Sequence, residues 1–290
     1  MRKLEFLLAE AVNNDATHVI TCGGPQSNHV RATVFAARQL GLGVTAIIRK
    51  PAAGDIPENG NLLLTQILDA SIEWLDYNDY QNAGGSYTPF LLESEKKLNQ
   101  SGKKTYVIPE GGSSALGSWG YISACDELEA AHSNGIKPFD HIFCALGSGG
   151  TVAGLVLGYA QKNWPVSSIC AVNVCDSEDY FRNRISQIMS DFAENWQLPS
   201  SQINEYKIFD GHFGSGYGQA TKDDLLFYKD LAKKEGVLLD PVYTGKAFRG
   251  MLHEIKKHPS HFGENILFLH SGGWFANFAY EPMWRDLLSR

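Results

Sequence analysis

The sequence predicts an α/β protein built on parallel sheets. Short apolar runs alternate with helical patterns along almost the whole chain, and three glycine-rich turns each follow such a run and open a helix or turn. Strand–helix alternation needs crossover connections, so the strands lie parallel and are covered by helices on both faces.

In order, His18 to Cys22 reads as a strand, Asn28 to Leu40 as a helix, and Val44 to Ile48 as a strand. Asn61 to Asp69 is helical, Ser71 to Leu75 a strand, Pro89 to Gln100 helical and Lys104 to Ile108 a strand. Ala115 to Ser133 is a long helix, His141 to Leu146 a buried strand, and Thr151 to Gln161 a helix. The pattern continues through a strand at Ile169 to Val174, a helix near Tyr180 to Trp196 and a strand at Glu205 to Phe209. Helices at Lys222 to Glu235 and Gly245 to Lys257 and a strand at Ile266 to His270 complete it. Pro51 to Asn61 and Gln81 to Tyr87, rich in Gly, Pro, Asn and Asp, read as surface loops. No internal repeat is evident. Gly111-Gly112, between a strand and the long helix, marks the expected crossing between two domains, 4–111 and 112–290, with residues 1–3 joining the second.

At 290 residues the chain is long enough for two domains, and its 43% hydrophobic content supports packed cores. With 25 basic and 32 acidic residues the net charge is −7, which offers no basic face to nucleic acid. No apolar run is long enough to span a membrane, and the N-terminal run, broken by Glu5 and Glu10, is not a secretory signal. The five cysteines are scattered and show no zinc spacing. They read as buried thiols of a cytoplasmic protein, and no metal is expected at the functional site.

The three turns are Cys22 to His29, Ala145 to Thr151 and His270 to Trp274. In parallel sheets ligands bind beyond the carboxyl ends of strands, where such turns collect. Gly147, Ser148, Gly149, Gly150 and Thr151 suit a single phosphate: small residues let backbone N–H groups point inward, and a helix dipole follows. The turn is neither a Walker loop nor a GxGxxG motif. Ser27, Asn28 and His29 open a helix, where Ser27 or Asn28 can cap it or bind a ligand. No Gly-x-Ser-x-Gly elbow surrounds Ser27. Tyr217 and Tyr243 stand among glycines that allow close ligand approach.

Together these segments resemble the D-cysteine desulfhydrase and 1-aminocyclopropane-1-carboxylate (ACC) deaminase family, pyridoxal-phosphate enzymes of the two-domain tryptophan-synthase β-like fold (fold type II). The matching stretches are RKLEFLLAEA from Arg2, QSNHVRAT from Gln26, VIPEGGSSALGSWGY from Val107, GSGGTVAGL from Gly147, GYG around Tyr217, LLDPVYTGKAFRGM from Leu238 and ILFLHSGG from Ile266. The resemblance implies that Gly147 to Thr151 cradle the cofactor phosphate, Asn28 bonds its phenolic oxygen, and Ser271 meets its pyridine nitrogen as a neutral partner. It places Ser27 beside the substrate carboxylate or in proton transfer, with His29 nearby. Tyr217 and Tyr243 become acid–base and orienting groups, a task that needs lowered phenol pKa values. A homodimer is also implied.

The deaminase subgroup carries Glu after the second tyrosine and Leu in the His-x-Gly-Gly turn. Here Thr244 and Ser271 stand there, the D-cysteine-desulfhydrase pattern, which makes Thr244 a candidate substrate contact. The implied reaction is β-elimination from D-cysteine or a related small D-amino acid, giving pyruvate, ammonia and sulfide. On the family pattern the Schiff-base lysine aligns one position before Met1, as expected of a desulfhydrase-like lyase given without its N-terminal segment, which leaves open whether this chain is itself an enzyme. The alternatives are an ACC deaminase, a relative that binds pyridoxal phosphate or a small phosphorylated or amino-acid ligand without turnover, and an enzyme that uses Lys3 instead. Lys3 would be displaced from the family position by about 4.5 Å along a helix. Pro25 and Trp274-Phe275 depart from the family pattern beside the expected pocket.

Overall fold

Every strand pairing is parallel among the residues described by the computed structural model, which are 1–52, 54–197, 203–214 and 216–289. The chain divides into two units, Met1–Ser113 and Ser114–Arg290. Arg2 and Lys3 belong to the first helix of unit 1.

Unit 1 runs α1 (Arg2–Asn13), β1 (His18–Gly23), α2 (Asn28–Gln39), β2 (Gly43–Arg49), α3 (Gly60–Ile67), β3 (Ser71–Leu75), α4 (Tyr77–Asn82), α5 (Thr88–Gln100) and β4 (Thr105–Val107). Its sheet order is β3-β2-β1-β4. The chain steps outward from β1 to β3 and then returns to set β4 on the other side of β1. That reversal is a topological switch point, and parallel sheets bind ligands beyond the carboxyl ends of the strands at such points. β1 is buried along its whole length, as a strand covered on both faces must be, and so it reads as a continuous run rather than an alternation.

Unit 2 runs α6 (Ala115–Ser133), β5 (His141–Leu146), α7 (Gly150–Gln161), β6 (Ile169–Asn173), α8 (Glu178–Asn195), β7 (Lys207–Phe209), α9 (Lys222–Glu235), α10 (Thr244–Lys257), β8 (Ile266–Phe268) and α11 (Glu281–Leu288). Its order, β7-β6-β5-β8, repeats the topology of unit 1, with the reversal now between β5 and β8. The sequence shows no trace of this repetition. Two glycines set how closely α6 and α7 pack. A Cβ at Gly154 would lie 2.7 Å from the Tyr121 Cβ, and one at Gly158 would lie 2.6 Å from the Cys125 sulfur. Below them Phe181, Ile185 and Phe192 of α8 close a core that the fully buried β6 completes.

Three sequence expectations change. The supposed loop at Gln81 to Tyr87 begins inside α4 and ends on Tyr87, which is buried against Leu75 and Leu91. Asn61, at the end of the other supposed loop, is also buried. The strands expected to begin at Glu205 and to end at His270 are shorter, Lys207–Phe209 and Ile266–Phe268.

Candidate active site

In unit 1, β1 ends at Gly23 and the chain turns into α2. Ser27 is the helix N-cap: its hydroxyl oxygen accepts the Val30 N–H at 3.2 Å. The turn needs Gly23, because a Cβ there would lie 2.8 Å from the Ser27 oxygen. Asn28 accepts the Asn61 side-chain N–H at 2.8 Å on its Oδ1, so its own amide nitrogen stays a donor. Asn61 also donates to the Gln26 carbonyl at 3.0 Å and accepts from Arg31 at 3.3 Å. Gln26 in turn donates to the carbonyls of Pro57 (3.2 Å) and Asn59 (2.9 Å), which ties the glycine- and proline-rich segment to the start of α2.

His29 lies beside this turn and shares a 3.1 Å hydrogen bond with the Thr21 hydroxyl. Burial, with Lys3 nearby, brings its pKa down to about 3, against a weaker opposing hydrogen bond to the Pro109 carbonyl. It therefore stays neutral, with hydrogen bonds to the Thr21 hydroxyl and the Pro109 carbonyl. Lys3, in the first turn of α1, reaches the Ser113 hydroxyl at 3.4 Å, and burial brings its pKa down to about 8. Gly112 makes room for this group with its φ of +61°: a Cβ would lie 3.3 Å from the His29 ring and 3.1 Å from Leu7.

In unit 2, the turn after β5 leads into α7, whose N-cap is Gly149 at a φ of +86° with no capping side chain. Ser148 and Thr151 flank the helix start, and Gly147 passes so close to Tyr243 that a Cβ would lie 3.0 Å from its ring. Ser271, beyond the carboxyl end of β8, is exposed. Tyr217 and Tyr243 come together, their hydroxyls 2.8 Å apart and their rings in edge contact. Ser215, in the same turn as Tyr217, lies outside the described residues.

Two further residues hold these tyrosines, and sequence reasoning gave neither a role. Asp240 is fully buried. Its Oδ1 accepts the N–H groups of Val242 (2.9 Å) and Tyr243 (2.8 Å), and its Oδ2 accepts the Thr244 N–H (2.9 Å) and hydroxyl (2.6 Å). Burial pushes the Asp240 carboxyl upward in pKa, and these donors work against that push. Lys246, also buried, donates to the carbonyls of Phe213 (2.8 Å) and Gly216 (2.6 Å) and so pins the turn that carries Tyr217. An Asp just ahead of a helix is a readable capping signal. The Lys246 partners lie about thirty residues away and leave no such signal.

Thr244, the candidate substrate contact, is fully buried, and its hydroxyl donates to Asp240.

The residues suit a phosphorylated aromatic cofactor. The turn at Gly147–Thr151 puts a side-chain-free N-cap at the N-terminus of a twelve-residue helix, a cradle for an anion, and Gly147 lets it run against the Tyr243 ring. The model for pyridoxal-phosphate-dependent enzymes matches residues 1–272. The chain belongs to this family.

Among its relatives within the pyridoxal-phosphate enzymes, the bifunctional D-cysteine desulfhydrase/ACC deaminase of Arabidopsis thaliana is 40% identical over 282 residues, covering 94% of this chain and 68% of the relative. The D-cysteine desulfhydrase of Yersinia pestis is 35% identical over 285 residues, covering 97% of this chain and 84% of the relative. The crystal structure of an ACC deaminase homologue superposes with a TM-score of 0.82 at 32% identity, covering 99% of this chain and 82% of that one. The fold is therefore the tryptophan-synthase β-like fold, and the cofactor is pyridoxal phosphate. No described helix is long and apolar enough to cross a membrane.

Proposed function

We propose that this chain catalyses β-elimination from a small D-amino acid, D-cysteine foremost, with water consumed and pyruvate, ammonia and sulfide released. The observation that carries the reading is the Tyr217–Tyr243 hydroxyl pair at 2.8 Å, followed by a Thr244 that is buried against Asp240. The deaminase pattern would put a carboxylate at that position. The desulfhydrase activities of the Arabidopsis and Yersinia relatives support the same reading.

Pyridoxal phosphate, when bound, supplies an electron sink that stabilises negative charge at the substrate α-carbon. In this reading Gly147, Ser148, Gly149, Gly150 and Thr151 hold its phosphate through backbone N–H and hydroxyl groups. Asn28 points its free amide donor at the phenolic oxygen, an orientation that Asn61 enforces. Ser271 offers the pyridine nitrogen a neutral hydroxyl. The Ser27 oxygen is occupied by the Val30 N–H, which leaves the hydroxyl proton to donate toward the substrate carboxylate. The paired phenols share a hydrogen bond in which either oxygen can be the donor. One can therefore deliver its proton to the departing sulfur while the other holds it in place. In this reading residues 4–111 are the smaller, cofactor-covering domain.

A homodimer in the cytoplasm belongs to the same reading, and the free cysteines, four of them buried, support a reducing compartment. The test is turnover by the cofactor-loaded protein. Sulfide and pyruvate should form in equal amounts from D-cysteine, at least about tenfold faster than 2-oxobutyrate forms from ACC. Faster reaction with ACC would make the chain a deaminase, and no turnover of either compound would make it a binding protein. Borohydride reduction followed by peptide mapping identifies the lysine that carries the cofactor, and a label on the Lys3 peptide would assign Lys3. Light scattering measures the oligomer.

A further inference from the structure

A second cluster in unit 2 lies outside the groups assigned above. His212, in the turn after β7, brings its Nε2 to 3.0 Å from the Glu254 Oε1, and His253 brings its Nδ1 to 3.1 Å from the same oxygen. The three ligand atoms all lie within 4.8 Å of one another. Two imidazoles and one carboxylate form a donor set that suits a borderline transition-metal ion. A tetrahedral site spaces its ligand atoms by roughly 3.3 Å, close to the two histidine–carboxylate distances here.

The cluster is held in shape before any ion arrives. The Glu254 side chain is 11% exposed and that of His212 is 14% exposed, whereas that of His253 is 63% exposed, so two ligands are fixed and the third opens to solvent. His212 packs close on α10 because residue 250 is glycine: a Cβ there would lie 2.9 Å from its ring. Glu254 directs one oxygen at both imidazoles. Lys257, which also acts on the Glu254 carboxylate, is exposed at the last turn of the helix.

We propose that His212, His253 and Glu254 bind one divalent transition-metal ion, with water completing the coordination. The ion would join the turn after β7 to the C-terminal half of α10. That is a second tie between segments that Lys246 already links near Tyr217.

The test uses the cofactor-loaded protein after dialysis against chelator, with Co2+ as a spectroscopic probe and Zn2+ as competitor. We expect one Co2+ per chain with the visible absorption of a four-coordinate ion, displaced by Zn2+, and a Zn2+-dependent rise in Tm. His253→Gln, an exposed substitution, should weaken binding at least about tenfold and abolish the Tm rise. His212→Gln should do the same. The double variant His258→Gln/His261→Gln, which alters the other histidine group of this unit, should bind normally. Absence of stoichiometric Co2+ binding overturns the proposal, as does affinity unchanged in both His253→Gln and His212→Gln, or lost in the double variant.

Discussion

Asp240 accepts the backbone N–H of Tyr243 at 2.8 Å, and this bond sets where the Tyr243 phenol begins. The same carboxylate holds both the N–H and the hydroxyl of Thr244. Gly273 passes close enough to Asp240 that no side chain fits there. The Tyr243 hydroxyl, on which the proposed proton transfer depends, is thus aimed by a buried group that meets no ligand.

Asp240→Asn replaces one acceptor oxygen with an N–H group that faces the Thr244 donors. Charged hydrogen bonds of this kind are worth about 1.5–3 kcal/mol each, so the variant should lose about 2–4 kcal/mol in chemical denaturation. kcat should fall more than KM rises, because the chemistry loses its aim. Unchanged stability would show that the carboxylate is not charged.

Tyr217→Phe and Tyr243→Phe should each lower kcat on the order of 10²-fold, the usual scale for losing a positioned proton carrier. Since the hydroxyls share one hydrogen bond at 2.8 Å, the double variant should be little worse than either single variant. Additive losses measured in steady-state kinetics would mean that the two phenols act separately.

Gly147→Ala and Gly154→Ala separate site from scaffold. The first places a Cβ 3.0 Å from the Tyr243 ring and should weaken cofactor affinity, read by absorbance titration, with little loss of stability. The second places a Cβ 2.7 Å from that of Tyr121 at the α6–α7 contact and should cost about 1–3 kcal/mol in stability through overpacking, with the cofactor still bound.

Stability should fall in acid. Burial lowers the pKa of His29 to about 3 and that of His18 to about 4 from 6.5. Between those values the unfolded chain binds protons that the folded chain refuses. The stabilising contribution is therefore complete above about pH 6.5 and is lost as pH falls toward 4 and then 3. Urea denaturation from pH 7 to pH 4 should show this slope, and His29→Gln should flatten it by up to about 1.4 kcal/mol per pH unit. An unchanged slope would place His29 in water.

Much of the fold was legible because apolar runs and helix signals are local. Ala115–Ser133, His141–Leu146 and Lys222–Glu235 begin and end where their capping and periodicity put them. The residues of the site were legible as types at turns, since glycine, serine and asparagine after a strand mark ligand loops whatever surrounds them. What each side chain bonds was not. Asn61 turns the Asn28 amide from a residue 33 positions away, and Lys246 holds the Tyr217 turn from 30. The bond from the Thr244 hydroxyl to Asp240 was equally hidden, because a motif gives a side chain's position but not its direction.

The sequence by itself determined the alternation of strands and helices, the ligand turns and the family, because these depend on residues near one another in the chain. Only the tertiary structure decided that both units share one strand order, that His29 stays neutral, that Thr244 serves Asp240, and that Tyr217 meets Tyr243. Each of those rests on burial or on a hydrogen bond between residues that folding brings together, and neither is written in local order.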